Sequence, residues 1–99
     1  MNSIQHITYQ QLLQKLDSGE DLLLLDVRED FEREHFNIGG IHIPLAEVLN
    51  KAAEIPKTTP VIVYCRKGVR SQIAIQKLQD RFEYKNLINL QGGIDFMKY

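Results

Sequence analysis

Three short apolar segments, each closed by a turn and followed by helix-like spacing, commit this chain to an α/β fold with a mainly parallel sheet flanked by helices. They are Leu22-Leu23-Leu24-Leu25 ending in Asp26, Val61-Ile62-Val63-Tyr64 ending in Cys65, and Asn86-Leu87-Ile88-Asn89-Leu90 ending at Gly92-Gly93. Continuous apolar character, rather than alternation, suits strands covered on both faces. Ile41-His42-Ile43-Pro44 reads as a further short strand, and Ile4 to Thr8 as an edge strand. Between the strands, Thr8 is positioned to cap a helix whose stripe is Leu12, Leu13 and Leu16, stopped at Ser18-Gly19. Leu45, Val48, Leu49 and Ala52 predict a second helix that ends before Pro56. Ala74, Ile75, Leu78 and Phe82 share one face of a third, running from about Val69 to Arg81. A last helical turn after Gly93 is expected to send Ile94, Phe96 and Met97 into the core.

A chain of 99 residues suffices for one compact domain, taken as residues 1–99, and not for two. Twelve basic residues oppose 13 acidic ones, so no global field invites nucleic acid or an anionic membrane. The residues from Met1 to His6 lack the basic and apolar regions of a secretory signal, and Leu22 to Leu25 is far too short to cross a bilayer. A soluble, cytoplasmic protein is the expectation. The one cysteine excludes an internal disulfide.

That cysteine carries the functional information. Cys65 stands where a core strand ends and opens Cys65-Arg66-Lys67-Gly68-Val69-Arg70-Ser71, a Gly-containing turn running into a helix. A buried cysteine is ordinarily inert packing. Here three cations follow within five residues, and no acid occurs between Val61 and Gln79. Inward backbone N–H groups at such a turn form an anion-binding nest, backed by the helix N-terminus. A thiol there is expected to react as thiolate. Asp26 ends the neighbouring strand, and open parallel sheets place reactive groups beyond the carboxyl ends of their strands. Taken alone, Asp26 reads as a cap for a helical turn beginning near Glu29. Arg28 reads as a surface partner of Glu29, Asp30 or Glu32. His35 reads as a surface or structural histidine, His6 and His42 have no partner motif, and no His/Cys/Asp spacing suggests a metal.

With these residues in hand, the chain resembles the small single-domain rhodanese sulfurtransferases over nearly its whole length. Leu24-Leu25-Asp26-Val27-Arg28 is similar to the family's Asp-Val-Arg signature, and Ile43-Pro44-Leu45 to its apolar-Pro segment. Cys65-Arg66-Lys67-Gly68-Val69-Arg70 is similar to its Cys-x-x-Gly-x-Arg loop, and Leu90-Gln91-Gly92-Gly93-Ile94 to its Gly-Gly motif. The resemblance implies that Cys65 takes a sulfane sulfur from a small anionic donor such as thiosulfate and holds it as a persulfide. It implies that Arg66, Lys67, Gly68, Val69 and Arg70 bind the donor and cradle the sulfur. A thiol, cyanide or a protein would accept it, with no organic cofactor or metal. It also implies that Asp26 and Arg28 lie beside the loop, with Asp26 holding loop backbone or a loop arginine.

The segment Glu34-His35-Phe36-Asn37-Ile38-Gly39-Gly40 departs from the family's usual Gly-His-Ile-x-Gly-Ala. It resembles a variant in rhodanese domains attached to sulfur-carrier activating enzymes. Phe96 stands near the place of a common tryptophan. Two rivals differ in chemistry. Phosphatases and arsenate reductases use Cys-x5-Arg, one residue longer than Cys65 to Arg70, to hold a tetrahedral oxyanion. A persulfide relay or binding module serving a protein partner in sulfur-carrier metabolism would share the loop but not the small-molecule turnover.

Overall fold

The computed structural model describes residues 3–98. Five parallel strands form one sheet in the order β1-β5-β4-β2-β3. They are β1 (Gln5–Ile7), β2 (Leu23–Asp26), β3 (Ile41–His42), β4 (Val61–Tyr64) and β5 (Leu87–Leu90). The helices are α1 (Tyr9–Asp17), α2 (Asp30–His35) and α3 (Val69–Arg81). All three apolar runs became strands because each is covered on both faces, with β4 buried at every residue.

Alternation along β4 divides the core into two layers. Val61, Val63 and Cys65 join Ala74, Ile75 and Leu78 of α3, with Val48, Ala52 and Ile55 beside them. Ile62 and Tyr64 point the other way, to Leu12 of α1, Leu90 and Ile94. The cysteine therefore continues the α3 face of the central strand.

Thr8 caps α1, and its hydroxyl and the Gln11 side chain form a reciprocal capping box. Only Leu12 of its expected stripe is buried, whereas Leu13 and Leu16 stay 40% and 47% exposed. This nine-residue helix meets the second core layer through Leu12 and the half-buried Tyr9.

The expected helix over Leu45 to Ala52 is instead two 3-10 turns, Leu45–Glu47 and Ala52–Glu54. Hydrogen bonds from Val48 N–H to Leu45 O and from Ile55 N–H to Ala52 O give the tighter i to i+3 geometry. The 3, 4, 3 steps between apolar residues 45, 48, 52 and 55 follow the α-helical period, and only the pairs 45/48 and 52/55 inside each turn fit the 3-10 one, so the spacing pointed to a single helix where the chain forms two short turns. The buried Tyr84 hydroxyl then donates to Ala52 O and Ile55 O, locking the second turn onto the fold. A third 3-10 turn covers Asp95–Lys98. Ile94 is buried as expected, but Phe96 is 57% exposed and packs edge-on against Tyr9. The Met97 side chain lies outside the described residues.

Candidate active site

β4 delivers Cys65 to the carboxyl end of the sheet, where the thiol is 1% exposed at the floor of the turn 65–68. Gly68 turns the chain with φ of +92°, a left-handed conformation that side-chain-bearing residues rarely adopt, and starts α3. The turn folds its backbone onto the sulfur. Gly68 N–H donates to Cys65 Sγ at 3.1 Å and Ser71 N–H at 3.4 Å. Both donors belong to the first turn of a thirteen-residue helix or its cap, so the positive end of its dipole also faces the sulfur.

A second segment fixes the turn from behind. Ile94 N–H donates to Cys65 O and Asp95 N–H to Arg66 O. This approach is possible because residue 93 is glycine: a Cβ there would stand 2.2 Å from Arg66 O and 2.6 Å from Cys65 O. The Gly-Gly motif and the cysteine loop, separate in sequence, are one unit of structure.

Above the sulfur, Arg66, Lys67, Val69 and Arg70 surround an open depression of about 320 Å³. Two of the three cations are not unopposed, which corrects the reading from local sequence. Arg70 forms a bidentate pair with Glu32 of α2 at 2.6 and 2.8 Å. Arg66 reaches Asp95 at 3.1 and 3.3 Å. Lys67 is exposed and has no ion pair among the described residues.

Glu32 is a residue of the candidate site that inspection of the loop missed. It lies 38 positions from Arg70 and is aimed by its place in α2, where its carboxylate also accepts the Glu29 N–H. The Glu29-x-x-Glu32 spacing was the available signal, being a capping-box pattern. The Arg70 hydrogen bonds hold the Glu32 carboxyl down at about 2, against the cost of burial. Because this lies below the ordinary value of 4.5, the pair stabilises the fold fully above about pH 4.5 and progressively less as pH falls toward 2. Glu32→Gln is expected to lower stability by on the order of 2 kcal/mol at neutral pH, discounted for solvent at Arg70. The difference from the parent should shrink as pH falls through this window, as read from urea midpoints.

Asp26 and Arg28 form a buried bidentate pair at 2.9 Å, and Asp26 also accepts the Arg28 N–H. Asp26 neither caps α2, a role taken by Glu29, nor hydrogen-bonds any residue of the 65–70 loop. Arg28 is 3% exposed, not a surface residue. It donates to Phe36 O at 2.6 Å and stands 5.6 Å from the Tyr64 ring centre. Burial disfavours the charged Arg28, but the Asp26 hydrogen bonds and charge outweigh it and raise its pKa. Arg33 reaches Asp26 as well and donates to Gly39 O and Gly40 O. The pair thus braces the departing 28–40 segment. Arg28 also lines a pocket of about 100 Å³ beside the loop, with Phe31, His35, Phe36 and Arg66. His35 is exposed and His42 Nε2 lies 2.7 Å from Arg28 O. Among the described residues no group of three or more His, Cys, Asp or Glu could hold a metal. Nor is any helix there long and apolar enough to cross a membrane.

A small α/β domain with a cysteine at the tip of its central strand, cradled by a Gly-turned loop, is the arrangement of a rhodanese domain. The rhodanese-like domain model matches residues 8–97, and the chain belongs to that family. Relatives in it are named as sulfurtransferases and sulfur carrier proteins. The chain is 35% identical to a sulfurtransferase of Allochromatium vinosum, over 92% of its own length and 85% of that protein. It is 37% identical to the putative sulfur carrier protein YrkF of Bacillus subtilis, spanning 94% of the chain and half of YrkF. It is 38% identical to the adenylyltransferase and sulfurtransferase MOCS3 of Drosophila willistoni, covering 95% of the chain but 22% of that protein. The crystal structure of SSP1007 from Staphylococcus saprophyticus superimposes with a TM-score of 0.83 at 26% identity, covering 94% of this chain and 92% of that one.

Proposed function

We propose that the protein moves a sulfane sulfur through a persulfide on Cys65. The observation that carries this reading is the pair of backbone N–H donors at Cys65 Sγ, in a turn that opens at its top to solvent. The Cys65 thiolate attacks the outer sulfur of a thiosulfate-type donor, forming a new S–S bond. The donor's own S–S bond breaks, and sulfite leaves with the electron pair. The inward N–H groups of the turn hold the negative charge of the persulfide as an oxyanion hole holds developing charge. A nucleophilic acceptor, cyanide or a thiol, then attacks the outer sulfur, and Cys65 departs as thiolate. The reaction is covalent catalysis in two half-reactions. The walls of the depression come from one loop and it stands open to solvent, so donor and acceptor can reach the same atom in turn.

Lys67 is the cation left to attract the donor, since Arg66 and Arg70 spend much of their charge on Asp95 and Glu32. Lys67→Ala is expected to raise KM for thiosulfate about threefold at low salt, with a smaller effect on an uncharged donor and none at high salt. Thiocyanate formed from thiosulfate and cyanide measures it. No thiocyanate from the parent protein would reject small-molecule turnover. The second reading, delivery of sulfur to a protein, is favoured by the match to YrkF, which is named a sulfur carrier. Persulfide formation without thiocyanate release would select it.

A further inference from the structure

The cysteine is linked to the opposite edge of the sheet by polar groups that the sulfur chemistry above does not use. Ser71 Oγ lies 3.4 Å from Cys65 Sγ and donates to Asn89 Oδ1 at 2.5 Å. Asn89 Nδ2 lies 3.1 Å from His6 Nδ1. Ser71 and Asn89 are buried, at 0% and 1% exposure, whereas His6 stands exposed on the edge strand β1. The parallel register holds the far end, pairing His6 with Asn89 across β1 and β5. Asn89 is itself anomalous: it interrupts the apolar run of β5 with an amide that has no exit to water.

Each member has a fixed supply of hydrogens, so the chain has a direction. Ser71 has one hydroxyl hydrogen and gives it to Asn89. It therefore meets the sulfur as an acceptor, the partner for a neutral S–H. In this orientation Asn89 gives an amide hydrogen to His6, and the Nδ1 lone pair accepts it in the tautomer that carries its own hydrogen on Nε2. When a proton from solvent occupies that lone pair, Nδ1 becomes a donor and faces another donor. Rotating the Asn89 amide by half a turn removes the conflict, with Oδ1 now accepting from His6 and Nδ2 donating to Ser71. The Ser71 hydrogen is then free to point at Cys65 Sγ, as a thiolate requires.

We propose that Ser71, Asn89 and His6 are positioning residues for the nucleophile: a hydrogen-bond relay whose polarity, set at the exposed edge of the sheet by His6, decides whether Ser71 accepts from or donates to Cys65 Sγ. The relay rests on Cys65 as the nucleophile, but not on any particular sulfur donor. The other charged groups bordering His6 are Lys15 and Glu20 from α1 and the turn after it, which pair with each other at 3.2 Å. Those facing Cys65 are Arg66, Lys67 and Arg70 of its own loop. Imidazole as a class takes up its proton between about pH 5 and 8.

The test is the rate of Cys65 alkylation by iodoacetamide, which needs no sulfur donor and so stands whether or not persulfide transfer is observed. The parent and His6→Gln, which keeps an acceptor but cannot titrate, are compared across the imidazole range. Near pH 8 the two rates should agree. Near pH 5 the parent should react about fivefold faster, the worth of one neutral hydrogen bond to the sulfur. The ratio should survive high salt, because a hydrogen-bond relay is not screened as a distant charge is. In a Ser71→Ala background, which keeps the residue 71 N–H donor, the His6→Gln effect should vanish. A ratio that stays flat with pH overturns the proposal. So does one that high salt abolishes, or one that persists without the Ser71 hydroxyl.

Discussion

Cys65→Ser is expected to lower sulfur transfer by about a thousandfold or more while leaving thermal stability close to that of the parent. The hydroxyl is smaller than the thiol and fits the same floor. It still accepts from Gly68 N–H and Ser71 N–H, the two donors that now point at the sulfur. What is lost is chemical: serine stays protonated in this setting and forms no persulfide. Because the residue is buried at 1% exposure, a core contribution is the competing explanation. The pairing of a large rate loss with an unchanged thermal midpoint separates the two. A parallel fall in activity and stability would assign Cys65 to packing.

Gly93→Ala should act on the same chemistry from a distance. The added Cβ would meet Arg66 O at 2.2 Å and Arg66 C at 2.4 Å, both backbone atoms with nowhere to swing, at a φ of +67° that an alanine resists. The loop must move outward or the Ile94 and Asp95 N–H groups must release the Cys65 and Arg66 carbonyls. Either movement displaces the donors at the sulfur, and misplacement of about 1 Å costs roughly a hundredfold in rate. A stability loss of about 2 kcal/mol should accompany it. Gly92→Ala is the control. It shares a positive φ of 81° but has open space where its Cβ would go, so its activity should fall far less. Equal losses for the two variants would mean that backbone strain, not contact with the loop, explains the effect.

These expectations come from parts of the molecule that differed in how openly the sequence declared them. The strands were legible because burial on both faces leaves a mostly apolar run, and the turn at Gly68 because its residues are contiguous. The partners of the loop were not. Glu32 and Asp95 arrive from 38 and 29 positions away, and a list of neighbours along the chain shows cations without their acids. The same blindness misassigned Arg28. Its sequence neighbours are exposed carboxylates, whereas the fold turns it inward onto Asp26 two residues back. Leu45 to Ile55 misled for another reason: its apolar spacing is that of an α-helix, whereas the chain there forms two 3-10 turns, the second held by Tyr84 from a distant part of the chain. Asn89 was visible as a polar residue in a buried run, but its partners Ser71 and His6 lie on other elements. Gly93 shows the general pattern: its type was evident, and the loop it accommodates was not.

The most direct test of the central claim is mass spectrometry of the intact protein and its Cys65 peptide, before and after exposure to thiosulfate. A persulfide on Cys65 gives a gain in mass of one sulfur atom, located on Cys65, removed by cyanide and absent from Cys65→Ser. A parent protein that stays unmodified under excess donor, with its thiol shown to be free and reduced, would contradict it.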